Sequence, residues 1–307
     1  MLTEKQKEQY LNQGYVIVDN LLTASDLEPI REYAKTVLSE VATKLYNENL
    51  ITQLYDNLDF DKRLIAISNE YKDAALMSTL QKKMGQSLFN LWRSEKLTSI
   101  AQQLLGDDIN GHPFWALRSQ IPTEKLLTVP WHQDAAYLME GAKETIIFWI
   151  PLTTITKEGG CMEIIPAQNG RETRLYKHKV QNNQVGYENS WYVEIDEDLN
   201  TQNSIICEMP VGSILIFNES IIHRSLNNNS FSTRWSLDIR YIRANDFPGT
   251  HQSSIPIKRE NGQFTDDEQK IINNYIENNL CDIPNINYPK ELFTNKMWWL
   301  DKWKVEK

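Results

Sequence analysis

Cysteine is scarce in this chain. Its 307 residues include three, Cys161, Cys207 and Cys281. An odd number at wide spacing argues against a disulfide framework or a zinc knuckle, and the expectation is three buried free thiols in a reducing cytoplasm. Long apolar runs are also missing. No stretch reaches the roughly eighteen apolar residues of a membrane span, and the opening MLTEKQKEQY has no apolar h-region, so neither a membrane segment nor a secretory leader is expected. Basic charge is in deficit, with 32 Lys and Arg against 41 Asp and Glu. A chain with that balance lacks the electrostatic footprint for a phosphate backbone, so nucleic acid is set aside and small molecules are the expected partners. Repeats, low-complexity segments and linkers rich in Pro, Gly or Ser are absent. One domain over 1–307 is therefore expected, with a helical part to about 110, a β core over about 112–243 and an extension over about 244–307.

What is present changes character along the chain. Thr3 can cap a helix over 3–12, and Gly14 breaks it before a short strand, Tyr15-Val16-Ile17-Val18. A second start signal at Thr23 to Asp26 precedes a run whose Leu27, Ile30, Tyr33, Val37, Leu38 and Val41 form one helical stripe. Residues 73–105 continue in helical style and stop near Gly106. Short β-rich runs follow at 114–121, 145–152, 161–165, 213–217 and 234–241, separated by turn residues, which indicates an antiparallel sandwich or barrel. A helix over 266–280 and an aromatic end, Met297-Trp298-Trp299-Leu300-Asp301-Lys302-Trp303, close the chain. The fold class expected is mainly β with flanking helices.

Among the five histidines, His132 stands out because Asp134 follows two residues later. On an extended backbone, residues i and i+2 face the same way, so both can reach one ion while Gln133 points away. His223, after the apolar run 214–217, is the candidate third ligand. Two imidazoles and one carboxylate on one face of a metal leave the other positions open, which is the facial arrangement of iron(II) oxygenases. The His-x-Asp pair alone also fits a buried histidine bonded to Asp134. Arg234 lies eleven residues after His223, at the start of a run in which Arg234, Ser236, Asp238 and Arg240 alternate with Trp235, Leu237, Ile239 and Tyr241. A polar strand face inside a small barrel can line its cavity, and a planar guanidinium there suits a dicarboxylate.

Together these motifs resemble the phytanoyl-CoA dioxygenase family of iron(II)- and 2-oxoglutarate-dependent oxygenases. The elements carrying the resemblance are His132-Gln133-Asp134-Ala135-Ala136-Tyr137, Trp149 in Phe148-Trp149-Ile150-Pro151-Leu152, Gly160-Cys161 with Pro166, His223-Arg224-Ser225, and Asn228, Ser230 and Arg234. It spans roughly residues 3–243. Two stretches depart from the family pattern: Pro166-Ala167-Gln168-Asn169 stands for its Pro-Gly-Ser-His, and Gly212-Ser213 for its Gly-Asp. The resemblance implies a double-stranded β-helix (jelly-roll, cupin-like) core buttressed by N-terminal and C-terminal helices. It implies iron(II) on His132, Asp134 and His223, and 2-oxoglutarate held by Arg234 with Ser225 and Trp149. It also implies hydroxylation of an unactivated C–H bond of a small metabolite, with molecular oxygen consumed and succinate and carbon dioxide released. A natural-product tailoring step belongs to the same expectation. Related halogenases lack the carboxylate at the place of Asp134, so oxygenation is implied here.

For the substrate side, the candidates are Arg118, Tyr137, Phe114, Asp238 and Arg240. In the run from His112 to Gln120, His112, Phe114, Arg118 and Gln120 share the face proposed for the cavity. The long polar segment 169–204 reads as a lid, and its Glu194, Asp196, Glu197 and Asp198 suggest a cationic or zwitterionic substrate. The alternatives are a zinc- or nickel-binding β-barrel hydrolase or isomerase, and a non-catalytic metal-binding sensor. Neither needs an arginine placed for a dicarboxylate.

Overall fold

The computed structural model describes residues 1–80, 84–122, 128–168, 174–180 and 192–277. The aromatic end, Cys281, and residues 169–173 and 181–191 of the polar segment 169–204 lie outside them. Helix α1 (Glu4–Gln13) leads into β1 (Tyr15–Val18), and then come α2 (Ala24–Asn47), α3 (Phe60–Glu70), α4 (Ala74–Leu80), α5 (Gly85–Trp92) and α6 (Glu95–Leu105). Strands β2 (Ile109–Gly111), β3 (Ala116–Gln120), β4 (Ile146–Pro151) and β5 (Met162–Ile165) follow, with a single 3-10 turn at Asp134–Tyr137 between β3 and β4. The remaining strands are β6 (His178–Val180), β7 (Val193–Ile195), β8 (Ile205–Cys207), β9 (Ile214–Asn218), β10 (Ile222–Ser225), β11 (Arg234–Arg243) and β12 (Ile255–Lys258), before α7 (Asp266–Glu277).

The expected caps form. Thr3 accepts from the Gln6 N–H while the Gln6 side chain returns to the Thr3 N–H, and Thr23 and Asp26 make the same reciprocal pair for α2. The helical run over 73–105 comprises three helices. Gly85, at φ 63°, sits at the α4–α5 break, and Ser94 precedes α6. Helix α3 and strands β2, β6, β7, β8 and β12 were not anticipated. They are short, and most lack an alternating pattern long enough to read.

One seven-stranded antiparallel sheet runs β1-β9-β4-β11-β2-β12, with β3 also paired to β11, and a second runs β10-β5-β8. Strand alternation divides the apolar residues between two cores. Phe148 and Ile150 of β4, Ile214 and Ile216 of β9, and Trp235, Leu237, Ile239 and Tyr241 of β11 face the helices. The intervening Ile147, Trp149, Leu215 and Phe217 face inward against Met162, Ile164 and Cys207 of the second sheet. The helical side is sealed by Phe60 stacked on Trp235 at 5.0 Å and by Trp92 edge-on to Tyr241 at 6.4 Å. The fully buried Trp92, Trp235 and Tyr241 each contribute roughly 1.5–3 kcal/mol or more. The main sheet is thus anchored on one face by helices and left free on the other to build a site. This is the jelly-roll architecture with flanking helices. Beyond residue 243, β12 extends the edge of the main sheet and α7 packs on it. No helix among the described residues is long and apolar enough to cross a membrane.

Candidate metal and cosubstrate site

Strand β10 carries His223 and Ser225 on one face, opposite Ile164 and Met162 of β5. His132 lies directly across from His223 in an isolated antiparallel bridge, each backbone N–H donating to the other's carbonyl at 3.0 Å. The two imidazoles therefore stand side by side, with centroids 4.1 Å apart. The segment is not the regular strand expected. Gln133 is extended, at φ −117° and ψ 136°, and Asp134 then enters the 3-10 turn. That one extended residue suffices to bring the carboxylate round to the histidines. Asp134 Oδ1 lies 3.5 Å from His132 Nε2 and 3.9 Å from His223 Nε2. One ligand atom from each of the three residues lies within 4.8 Å of the others.

The surroundings fix the chemistry of these atoms. His132 Nδ1–H donates to the Pro130 carbonyl at 2.8 Å and His223 Nδ1–H to that of Ile221 at 2.9 Å. Both Nε2 lone pairs are thereby directed at the shared space. Burial, aided by the neighbouring His132, pushes His223 down to about 3, so its imidazole is neutral at physiological pH. Burial alone would push the Asp134 carboxyl up. The Arg240 guanidinium outweighs it and holds the group well below the usual carboxylate range. Arg240 does so by donating from Nε at 3.2 Å and from a terminal nitrogen at 2.8 Å to Asp134 Oδ2, which leaves Oδ1 for the histidine side. Two imidazoles and one ionised carboxylate are a donor set that suits a divalent first-row ion.

At the other end of the same cavity, Arg234 is 4% exposed. One terminal nitrogen donates to the Gly160 carbonyl at 2.6 Å, and the guanidinium carbon lies 5.8 Å from the Trp149 ring centroid. Its Nε is buried without a partner. Burial, with Arg118 nearby, lowers Arg234 to about 10, so it keeps its charge at neutral pH. Ser225 lines the cavity as well. Its Oγ accepts from the Val129 N–H at 3.1 Å, which leaves the hydroxyl proton to point elsewhere. A buried cation with an unpartnered donor is costly unless an anion completes it. The Arg234 donor therefore calls for an anion in the cavity that the histidine cluster also lines.

The sequence candidates for the substrate side divide. Arg118, Asp238 and Arg240 line the cavity, and Tyr137 and Phe114 do not. Tyr137 packs edge-on against His132 at 5.8 Å, and its hydroxyl accepts from the Val193 N–H. Phe114 acts through its carbonyl, which accepts from Arg240. Arg240 lines the cavity while its guanidinium clamps Asp134 Oδ2. Gln120 spends its amide on Thr128 and Leu226. His112 is buried and pushed down to about 4 by its desolvation and Arg240, its two nitrogens engaged by Pro248 and Phe114.

Two further residues went unassigned. Gln133 donates to the Arg174 and Ser220 carbonyls and accepts from the Tyr176 N–H, so the residue between two ligands straps neighbouring loops to them. His178 Nε2 accepts from the Gln133 N–H at 3.3 Å. Ile195 of β7 donates to the Trp131 carbonyl, so the described flanks of segment 169–204 rest on the metal motif. Three of the acidic residues of those flanks are engaged by neighbouring basic side chains. Glu194 and Asp196 pair with Lys179 at 3.0 Å, and Glu197 pairs with Arg174.

Gly160 offers a direct test of this geometry. It sits at φ 77°, and a Cβ there would lie 2.6 Å from Gln120 Oε1 and 3.0 Å from the Leu226 carbonyl. Gly160→Ala is expected to cost about 1–3 kcal/mol of stability and to weaken anion binding at Arg234, whose carbonyl partner would shift. Thermal melting with and without 2-oxoglutarate reads both effects, and an unchanged ligand-induced shift counts against the coupling.

The family description Phytanoyl-CoA dioxygenase (PhyH) matches residues 10–236. A probable alpha-ketoglutarate-dependent hypophosphite dioxygenase of Stutzerimonas stutzeri is 25% identical over 257 residues, covering 81% of each protein. An L-proline trans-4-hydroxylase of Streptomyces griseoviridis is 30% identical over 178 residues, covering 52% of this chain and 63% of that enzyme. Among solved structures, the apo non-heme monooxygenase ThoJ superposes with a TM-score of 0.57 at 19% identity, covering 87% of this chain and 92% of that one. EvdO2 from Micromonospora carbonacea var. aurantiaca, complexed with 2-oxoglutarate, gives 0.53 at 15% identity, covering 80% and 92%. This chain belongs to the phytanoyl-CoA dioxygenase family of iron- and 2-oxoglutarate-dependent dioxygenases.

Proposed function

We propose that the protein hydroxylates an unactivated C–H bond of a small-molecule metabolite, in a tailoring step that consumes molecular oxygen and releases succinate and carbon dioxide. His132, Asp134 and His223 hold iron(II), and Arg234, Ser225 and Trp149 hold 2-oxoglutarate. Bound iron and cosubstrate together supply the oxidising power for C–H cleavage. The residues of the chain orient and insulate. Arg240 keeps Asp134 ionised and aimed, the two Nδ1–H bonds keep the imidazoles in register, and Arg234 neutralises the distal carboxylate. The inner core, with Ile147, Trp149, Met162 and Phe217 on the cavity wall, excludes water from the reacting centre. The protein acts as a single domain in the reducing cytoplasm, a placement that the buried free thiols of Cys161 and Cys207 support.

The observation that carries this reading is the buried, unpartnered Nε of Arg234 in the cavity of the histidine cluster. A hydrolase or a metal sensor has no use for it. The test is anaerobic addition of iron(II) and then 2-oxoglutarate. A visible metal-to-ligand charge-transfer band is expected, and its absence from protein with bound iron would sink the proposal. A second expectation follows from Asp134 filling the carboxylate position. In chloride buffer the main product should carry oxygen, and a chlorinated main product by mass spectrometry would contradict it.

A further inference from the structure

Asp238 has no role in the scheme above. Its Oδ2 accepts from Arg118 Nε at 2.5 Å, and its Oδ1 is buried with no partner. Asp238 is 5% exposed and lines the same cavity. A bare carboxylate oxygen in such a place calls for a donor. The cosubstrate cannot be that donor, because a dicarboxylate offers only acceptors and would be repelled. The cavity thus holds two opposite deficits: a donor without an acceptor at Arg234, answered by the cosubstrate, and an acceptor without a donor at Asp238.

Arg118 supplies the other half. Its side chain is 26% exposed, Nε is spent on Asp238 and one bond goes to the Tyr192 hydroxyl. Of the five N–H donors of a guanidinium, others remain for an anion. Because Arg118 and Asp238 touch, the groups they can read must also sit side by side in the ligand. An ammonium and a carboxylate on one carbon meet that condition, whereas a molecule with widely separated charges does not. A purely cationic amine fits worse, since the cavity is lined by three guanidiniums (Arg118, Arg234, Arg240) and two carboxylates (Asp134, Asp238). Asp238 is two residues from Arg240 on β11, so a group bound there lies about 7 Å along the strand from the Asp134 clamp. That spacing sets a group bound at Asp238 apart from the His132, Asp134 and His223 cluster, so the ligand's side chain is the part directed at it.

We propose that Arg118 and Asp238 form the substrate-reading pair and that the substrate is a small α-amino acid, its ammonium donating to Asp238 Oδ1 and its carboxylate accepting from Arg118. This rests on the reading of the cavity given under the proposed function. The test uses wild-type enzyme loaded with iron(II) and 2-oxoglutarate under nitrogen. The charge-transfer band is followed while the proteinogenic L-amino acids are added one by one, each beside its N-acetyl and carboxamide forms, and succinate release is then measured in air. At least one free amino acid should shift the band and accelerate succinate release, and its two blocked forms should do neither. Asp238→Asn should raise the half-saturating amino acid concentration about a hundredfold, as expected when one side of a buried charge pair is lost. It should leave the 2-oxoglutarate titration unchanged, and Asp238→Glu should recover part of the loss. A band that forms but responds to no amino acid, or equally to the N-acetyl forms, overturns the inference and leaves the cosubstrate site standing. A band that never forms overturns both, and the silent 2-oxoglutarate titration identifies that case.

Discussion

His223→Ala is expected to abolish turnover while the protein still melts cooperatively. His223 faces the cavity from β10, and its ring meets Phe217 at 4.8 Å and His132 at 4.1 Å, away from the helical core that supports the main sheet. Losing it removes one of three ligand atoms and leaves two, which is too few to hold a divalent ion against water. His132→Ala and Asp134→Ala should do the same. Arg240→Leu should have a smaller effect of the same kind, roughly 10–100-fold in iron affinity, the usual result of removing a group that orients a ligand. His112→Ala, His178→Ala and His251→Ala should retain iron. The first two rings are engaged by backbone groups and the third is exposed. Iron retained after anaerobic gel filtration, together with the melting curve, separates these cases. If His223→Ala kept wild-type iron affinity, the ligand assignment would be wrong.

The sequence makes some of this legible and hides the rest for physical reasons. The alternation along 234–241 is readable because the period of a strand sorts polar from apolar residues. The outer set is fully buried against helices, and Arg234, Asp238 and Arg240 of the inner set line the cavity. His132 and Asp134 are readable because one extended residue between them gives the same facing as a whole strand. What the pattern cannot show is which partner each inner side chain finds. Arg234 and Arg240 are the same residue type on the same face, and only the packing of the His132–Tyr137 segment shows that Arg240 is taken by Asp134. The partners of Glu194, Asp196 and Glu197 are hidden as well, because Lys177, Lys179 and Arg174 lie across a hairpin whose pairing local pattern does not announce. The helical run over 73–105 reads as continuous because its breaks come at Gly85 and Ser94, small residues that an amphipathic pattern passes over.

Arg234→Leu is expected to cost about 3–5 kcal/mol in 2-oxoglutarate binding, the penalty for removing one side of a buried charge pair. That corresponds to a rise in the apparent cosubstrate constant of roughly a hundredfold or more. The distal carboxylate would enter a space where Arg234 is 4% exposed and water cannot replace it. Arg234→Lys should fall between, since a lysine offers a point charge without the fixed fork and would lose the placement that Gly160 and Trp149 give the guanidinium. Iron binding should barely change, because Arg234 is at the far end of the cavity from the ligand atoms. The other arginines of the strand have competing commitments. Arg240 donates to Asp134 and Phe114, and Arg243 pairs with Glu144 at 3.1 Å at a partly exposed position. Arg240→Leu should therefore weaken iron and cosubstrate together, whereas Arg234→Leu should weaken cosubstrate alone. Titrating 2-oxoglutarate under nitrogen against each variant, with bound iron measured in parallel, distinguishes the two patterns. Loss of cosubstrate binding in Arg240→Leu at full iron occupancy, with Arg234→Leu unaffected, would move the anchor to Arg240.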